Sequence, residues 1–409
     1  MPQPVHFYIV DDDPMILEME EILLVGAGYQ VSKSTSSVQA MGEIILKRPD
    51  VVIVDMMMPE LDGLELCKRI REIGDLKNTK IIVVSAKAYE FDKRRAFQLG
   101  ANSYITKPIN SETFIAQIEE VVSDRVTLKF WGVHGTLPVP GKKTLRYGGN
   151  TSCVTLSLVN EQFFIFDAGS GIKELSNYMM SQGNKQKVTK IFISHPHWDH
   201  INALPFYVPL YIPGSEFEIC GSKHGDLTMR HLIGSQMDGI YFPITMKEFG
   251  ARVYFRDLKE EKITIAGITV QTMLLNHPGN CLGYRVGYKD KSVCYVTDNE
   301  LYLPENPLYN EAYVNKLSDF VRGTDILITD TTYTDEEYRA KVGWGHSCVS
   351  RVADLAHRGE VKSLHLFHHD PDQSDDAIDG KIEQVRAKLA ELGSGTKCLA
   401  PAEGDTFII

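Results

Sequence analysis

The stretch FISHPHWDHINALPF, residues 192–206, places His195, His197, Asp199 and His200 within six positions. None of the four suits an apolar core, and all four are metal-ligating types. KIFIS reads as a buried strand, so His195-Pro196-His197-Trp198 forms the loop at its end and Asp199 with His200 opens a helix. His195 and His197, two apart in extended chain, point to one side and can chelate one ion, while Asp199 and His200 turn toward a second. Imidazole favours Zn, Mn or Fe over Mg, and an aspartate in a mixed set suits a hydrolytic zinc site better than a structural one. Two ions need more than four side chains. Further candidates each follow a strand: His277 in LLNHPGN, Asp298 in YVTDNE and His368 in LFHHDP. A single histidine after a strand is commonly a polar turn residue, which explains any one of these but not the set. His224, His231 and His357 lack such context and are assigned to surface or structure.

A second constellation lies near the N-terminus. Asp11 and Asp12 close the first predicted strand, Asp55 the third and Ser85 the fourth, and Lys107 follows the fifth just before Pro108. Strand ends of a parallel sheet share one edge, so the five converge. Clustered carboxylates repel one another unless a cation joins them, and oxygen ligands with open water positions suit Mg²⁺. A lysine and a hydroxyl beside them complete a site for a phosphoryl group, with Asp55 as the nucleophilic carboxylate. Reading Asp11–Asp13 as a helix cap and Asp55 as a turn residue accounts for one aspartate, not for five matched positions.

The elements that must hold these residues divide the chain in two. At 409 residues it exceeds the size at which one core stops growing, so at least two domains are expected. From residue 5 to about 120, β-branched runs (HFYIV, DVVIVD, KIIVVSA, SYITK) alternate with helical patterns such as MILEMEEILLVGAG. That alternation predicts an α/β, doubly wound parallel sheet with helices on both faces. The helical NSETFIAQIEEVVSDR then gives way, almost without a linker, to a Gly- and Pro-punctuated β-rich stretch beginning VTLKFWGVHG. The expected domains are residues 1–124 and 125–409. In the second, strands (QFFIFDAG, KIFISH, ITVQTMLLNH, SVCYVTD, DILITD, SLHLFHH) mix with helices (SCVSRVADLAHRG, AIDGKIEQVRAKLAELG). Residues 207–262 have weaker periodicity and read as an insertion or lid.

Composition narrows the function classes. With 43% hydrophobic and 24% charged residues the chain reads as an ordinary globular protein, and no apolar run is long enough to cross a membrane. VHFYIV begins without the charged and apolar regions of a signal peptide, so the cytoplasm is expected. Seven scattered cysteines, an odd number with no CxxC, argue against a disulfide framework. The net charge is −11, with −7 of it in residues 1–124, and no basic stripe favours nucleic acid as a partner.

Residues 5–122 resemble the receiver domain of two-component response regulators: VDDDP, VIVDMMMPELDGLEL, VVSA and GANSYITKP match its signature segments in order and spacing. The resemblance implies that Asp55 is the phosphoacceptor, with a sensor histidine kinase as partner. It implies that Asp11, Asp12 and the Met57 carbonyl hold Mg²⁺, that Ser85 and Lys107 contact the phosphoryl group, and that Tyr104 occupies the aromatic switch position.

Residues 127–409 resemble the metallo-β-lactamase superfamily, with HPHWDH at its HxHxDH motif and FDAGSG upstream. The fold implied is an αββα sandwich with metals at one edge. By that resemblance His195, His197 and His277 bind the first metal, Asp199, His200 and His368 the second, and Asp298 bridges. His369 competes with His368, strand register favouring His368, and Asp167 orients the ligand loop. Within the superfamily, GWGHS (343–347) followed by a helix and HLFHHDP, together with the glycine-rich opening FWGVHGTLPVP…RYGGNTSCV, is similar to the phosphodiesterase branch that contains ribonuclease Z. Ala203 departs from the glycine often found after the motif. No long basic arm for gripping transfer RNA is present, so a small or cyclic phosphodiester is the expected substrate.

The implied chemistry is hydrolysis at a dinuclear centre of Zn, with Mn or Fe as alternatives. Metal binding lowers the pKa of water to about 7, making hydroxide available for in-line attack on phosphorus. Asp199 and Asp298 would take part as metal-holding catalytic residues, and His346 would stabilise or protonate the departing oxygen. Two other readings stay open: a redox or ligand sensor with vestigial turnover, and a hydrolase of another ester, lactam or thioester. Phosphorylation of the receiver would control the hydrolase, either by releasing an occluded metal edge or by assembling a homodimer.

Overall fold

The computed structural model describes residues 5–158, 162–181, 188–240 and 242–409. The chain forms two compact units that divide between Arg125 and Val126.

In the first unit, strands β1 (His6–Val10), β2 (Gln30–Ser34), β3 (Val51–Asp55), β4 (Lys80–Ser85) and β5 (Ser103–Thr106) form a five-stranded sheet in the order β2-β1-β3-β4-β5. All its pairings are parallel. Helices α1 (Pro14–Gly26), α2 (Ser37–Lys47), α3 (Gly63–Glu72), α4 (Glu90–Gln98) and α5 (Ser111–Val122) alternate with the strands. Burial on both faces requires unbroken apolar runs, and β3 (VVIVD) is buried throughout. Sheet and helices thereby enclose two apolar layers, one containing Tyr8, Val52 and Val83, the other Phe7, Ile53 and Phe114. Local chemistry sets where α1 starts: the Asp13 side chain accepts the Met15 N–H at 2.9 Å, and Pro14 occupies the first helical position.

The second unit contains two seven-stranded sheets among the described residues. Its strands are β6 (Thr127–Gly132), β7 (Cys153–Ser157), β8 (Gln162–Phe166), β9 (Val188–Phe192), β10 (Glu216–Ser222), β11 (Arg252–Leu258), β12 (Lys262–Ile265), β13 (Ile268–Leu274), β14 (Leu282–Tyr288), β15 (Lys291–Val296), β16 (Ile326–Asp330), β17 (Ser363–Phe367), β18 (Lys397–Leu399) and β19 (Thr406–Ile408). One sheet runs β11-β10-β9-β8-β7-β6-β19 and the other β12 through β18 in sequence order. The helices are α6 (Ile172–Ser181), α7 (Trp198–Ile201), α8 (Met229–Gln236), α9 (Glu311–Val321), α10 (Asp335–Tyr338), α11 (Val349–Arg358) and α12 (Asp375–Glu391).

Aromatic rings fill the space between the sheets. Phe166 lies 5.8 Å from Tyr284 and 5.4 Å from Tyr295, and Phe130 lies 6.1 Å from Phe367, centroid to centroid. On the outer faces, α6 and α8 pack on the first sheet through Ile172, Leu175 and Ile233, and α9, α11 and α12 on the second through Leu317, Val352 and Val385. The result is an αββα sandwich. The reading of residues 207–262 as an insertion or lid is corrected: β10 and β11 lie within this segment and extend the first sheet beyond β9. β11 buries only Leu258 fully, so its sequence lacks the apolar signal of an interior strand.

Candidate metal centre and phosphoacceptor site

In the first unit the strand ends bring Asp11, Asp55 and Lys107 together. Lys107 Nζ lies 2.7 Å from Asp11 Oδ2 and 2.6 Å from Asp55 Oδ1. The other Asp55 oxygen accepts the Met57 N–H at 2.7 Å, and Asp11 Oδ1 accepts the Asp13 N–H at 2.9 Å. Asp12 is exposed beside them. Burial pushes the Asp55 carboxyl above its usual range, opposed by the Lys107 ammonium. Ser85 is fully buried and accepts the Lys87 N–H at 3.1 Å, while the buried Tyr104 donates its hydroxyl to the Lys87 carbonyl at 2.7 Å. The segment after β4 thus ties the serine to the tyrosine. Glu20, on α1, had no signal in the sequence beyond standing in a helix. It is buried, its Oε1 has no hydrogen-bond partner, and burial followed by the charge of Asp11 raises its pKa to about 8.

The second unit assembles its cluster from both sheets. β9 leads into the loop with His195 and His197 and then into α7 with Asp199 and His200, while His277, Asp298 and His368 follow β13, β15 and β17 of the other sheet. Ligand atoms of His195, His197, His277 and Asp298 all lie within 4.8 Å of one another, as do those of Asp199, His200, Asp298 and His368. Asp298 belongs to both groups and divides its oxygens between them. Oδ2 is 3.5 Å from His195 Nε2 and 3.6 Å from His277 Nε2, whereas Oδ1 is 3.3 Å from His200 Nε2 and 3.1 Å from His368 Nε2. Asp199 Oδ2 is 3.1 Å from each of His200 Nε2 and His368 Nε2. This is the geometry of a carboxylate between two cation positions.

In His200, His277 and His195 the ring nitrogen turned away from the cluster has a polar neighbour that orients the ring. His200 Nδ1 contacts Asp167 Oδ2 at 2.7 Å, His277 Nδ1 contacts the Gly345 carbonyl at 2.9 Å, and His195 Nδ1 lies 3.1 Å from Ser194 Oγ. His195 Nε2 is buried without a hydrogen-bond partner, as expected of a nitrogen awaiting a metal. The residues therefore fit the metal pair. Burial, and then the other imidazoles, hold His195 and His197 below the usual histidine range, which keeps them neutral. For Asp199 and Asp298 burial opposes the charge, but neighbouring histidines outweigh it and hold both carboxyls well below their ordinary value. Neutral imidazoles and ionised carboxylates are the forms that ligate cations.

Asp167 organises the loop. Its Oδ1 accepts the Ser194 N–H at 2.7 Å, and its Oδ2 accepts the Ser194 hydroxyl at 2.9 Å and the Tyr295 hydroxyl at 2.7 Å. Asp167, Asp298 and His368 each adopt positive φ (59°, 44° and 58°), a strained conformation for non-glycine residues that concentrates at this edge. His368 is the one drawn into the cluster. His369 turns away, its Nδ1 lying 3.0 Å from the buried Lys381 Nζ.

His346 stands beside the cluster, its ring stacked on His368 at 4.9 Å and 5.3 Å from His277. Its Nδ1 is 2.9 Å from Asp330 Oδ2, at the end of β16. Burial opposes charge on this imidazole, but the Asp330 carboxylate outweighs it and raises the pKa to about 9. Asp330, His346 and His368 themselves form a third group of ligand-type atoms within 4.8 Å. The loop carrying His346 is pinned by the buried Glu300, which accepts the Gly343 N–H at 2.7 Å and the Gly345 N–H at 2.8 Å. Sequence reasoning missed both Asp330 and Glu300. The signal for Asp330 was its place at the end of DILITD, the same strand-end position that identified Asp298. His224 is exposed as expected, yet its Nδ1 lies 3.5 Å from the carbonyl of Gly279, two residues past His277.

Comparison with known proteins gives this geometry a family. A profile described as "Beta-lactamase superfamily domain" matches residues 163–369, just over half of the chain. The chain belongs to the beta-lactamase superfamily. A second profile, "Response regulator receiver domain", matches residues 7–119, so the superfamily domain is preceded by a receiver. Among curated proteins, the chain is 30% identical over 120 residues to the DNA-binding dual master transcriptional regulator RpaA of Synechocystis sp., covering 29% of this chain and 50% of that protein. It is 34% identical over 119 residues to response regulator MprA of Mycobacterium sp. (strain KMS), covering 29% and 51%. The chain thus spans about half the length of the curated relatives it matches. Among solved structures, the metallo-beta-lactamase fold protein YhfI from Bacillus subtilis aligns with a TM-score of 0.50 and 16% identity over 70% of this chain and 100% of its own, a likeness of fold. No helix among the described residues is long and apolar enough to cross a membrane.

Proposed function

We propose that this chain is a response regulator of two domains, residues 1–124 and 125–409, whose phosphorylation at Asp55 by a sensor histidine kinase controls a dinuclear-metal phosphodiesterase acting on a small or cyclic phosphodiester in the cytoplasm. The observation that carries the hydrolytic reading is Asp298, with its two oxygens divided between two imidazole-rich groups. Five imidazoles and two carboxylates favour Zn at this centre, and Asp11, Asp12, Asp55 and the Met57 carbonyl favour Mg²⁺ in the receiver. A bound metal pair would supply hydroxide near neutral pH and neutralise charge on the phosphoryl oxygens.

The chain's own residues do the rest. Asp199 and Asp298 stay ionised, and Asp167 holds His200 and the 194–195 turn in register. Asp330 keeps His346 protonated through Nδ1, leaving Nε2 free to donate a proton to a departing oxygen. A protonated donor beside the cluster serves the departing oxygen of an alkyl ester, whose alkoxide is a poor leaving group. The test is to reconstitute the purified full chain with Zn²⁺ or Mn²⁺ and assay bis(p-nitrophenyl) phosphate, cyclic nucleotides and thioesters. Diester hydrolysis requiring two ions per chain is expected. Thioester turnover without diester turnover would overturn the assignment, and coloured, iron-loaded protein without hydrolysis would favour a sensor.

A further inference from the structure

The chain has three tryptophans, and two of them are exposed next to residues of the His/Asp cluster or its loops. Trp131 is buried, whereas Trp198 is 82% exposed and Trp344 is 60% exposed. Leaving an indole in water forgoes more apolar burial than any other side chain would, so two such residues flanking one site call for a reason. Trp198 lies between His197 and Asp199. On α7, Asp199 and His200 turn into the cluster and Ile201 into the core, which leaves the Trp198 position facing outward, where packing makes no demand for an aromatic ring.

Trp344 is held more tightly. It sits between Gly343 and Gly345, whose φ angles of 86° and 87° suit glycine, and Glu300 grips the N–H groups of both. A side chain on Gly345 would lie 2.3 Å from His277 Nδ1, so the Gly345 backbone, next to Trp344 in the chain, is pressed against a residue of the cluster. The Lys341 ammonium lies 5.0 Å from the Trp344 ring centre and 4.9 Å from that of Tyr333, and is itself anchored 3.3 Å from Asp370. A cation over the ring fixes an indole in one orientation. The outcome is a preorganised aromatic platform two residues from His346.

We propose that Trp198 and Trp344 are specificity residues that stack an aromatic base of the substrate, so that the phosphodiester is a small nucleoside-bearing one and not an alkyl or lipid diester. The inference rests on the phosphodiesterase reading and adds the substrate class. Stacking suits bases because every base offers a π-face. Of the net charge of −11, −4 falls in residues 125–409, so this domain offers a long polyanion no overall attraction.

The test compares two diesters with the same leaving group, thymidine 5′-(p-nitrophenyl) phosphate and methyl p-nitrophenyl phosphate, on the metal-reconstituted full chain. The proposal expects kcat/KM to favour the nucleoside ester, and Trp344→Ala or Trp198→Ala to cut that preference about tenfold through KM. Metal content should stay at two ions per chain, and Trp344→Phe should restore most of the preference. A preference unchanged in both alanine variants overturns the proposal, as does an equal loss on both esters. A second readout is independent of turnover: a non-hydrolysable thymidine methylphosphonate ester should quench tryptophan fluorescence, less so in each variant. If neither ester is cleaved, the phosphodiesterase reading fails, and the quenching alone decides whether the platform binds a base.

Discussion

Replacing Glu20 with glutamine should remove a pH-dependent loss of stability from the receiver. Glu20 is 1% exposed on α1, its Oε1 has no hydrogen-bond partner, and its electrostatic neighbours are Asp11, Lys107 and Asp55. Burial, then Asp11, raises its carboxyl from an ordinary value of 4.5 to about 8. Between these two values the folded chain keeps a proton that the unfolded chain has released. The contribution of Glu20 to stability is therefore full below pH 4.5, falls as pH rises, and levels off above pH 8. At about 1.4 kcal/mol per pH unit the whole fall amounts to roughly 5 kcal/mol, comparable to the total stability of a marginal domain. Glutamine keeps the shape and cannot ionise, so Glu20→Gln should be flatter across the window. His6 is lowered, chiefly by burial, which acts in the opposite direction, but both proteins carry it and it cancels in the difference. The assay is hydrogen exchange by mass spectrometry on peptides from β1, α1 and β3 of the full chain, between pH 5.5 and 8 and corrected for intrinsic rates. Mg²⁺ should lessen the wild-type slope by neutralising Asp11 and Asp55. Parallel pH profiles for wild type and Glu20→Gln would refute the reasoning.

The other expectations concern the two sites. Labelled acetyl phosphate with Mg²⁺ should modify wild type and not Asp55→Asn; equal labelling would remove Asp55 as acceptor. His197→Ala or Asp199→Ala should lose metal and hydrolysis together, whereas His346→Ala should keep two ions by atomic absorption and lose turnover, and metal loss in His346→Ala would reassign it as a ligand. Asp330→Asn removes the charge that raises His346 to about 9, so the alkaline limb of the kcat/KM profile should move to lower pH, and an unmoved limb would free His346 of the acid role. Beryllofluoride should change diester kinetics or oligomeric state in wild type and not in Asp55→Asn, by roughly 5- to 150-fold in rate if the coupling is of ordinary allosteric size; identical behaviour would leave the receiver as a docking module.

Most of this chemistry was legible because it sits where local pattern is strongest. HPHWDH is contiguous, and Asp11, Asp55, Asp298 and His368 each follow a run of β-branched or aromatic residues that could only be a buried strand. The parallel arrangement then brings strand ends to one edge. What escaped was chemistry made by single residues at long range. Nothing in ILLVGAG or its flanks marks Glu20 as buried against Asp11 and Asp55. Lys381 lies mid-helix in an amphipathic pattern that hides its contact with His369, 12 residues away in sequence, and with the Thr331 carbonyl at 2.6 Å. Glu300 reaches a loop 43 to 45 residues downstream. The edge strand β11 was missed for a different reason: it alternates exposed with half-buried residues, and the periodicity that betrays an interior strand is diluted.

The placement of ligands across both sheets explains why the edge, and not either sheet alone, carries the site. His195, His197, Asp199 and His200 depend on β9 of the first sheet, while His277, Asp298 and His368 depend on β13, β15 and β17 of the second. The two sets meet only because the aromatic layer between the sheets fixes their separation, with Tyr284 and Tyr295 packed against Phe166. Those same tyrosines reach into the ligand loop: Tyr295 donates to Asp167 at 2.7 Å and Tyr284 to the Ile193 carbonyl at 2.6 Å. Core packing and ligand geometry are thus joined, since both tyrosines packed against Phe166 also donate hydrogen bonds, one to the carbonyl two residues before His195 and one to the carboxylate that holds Ser194. Removing either hydroxyl while keeping the ring, as in Tyr295→Phe, separates spacing from orientation, because it leaves the packing intact and frees Asp167 from one of the groups that hold it against His200.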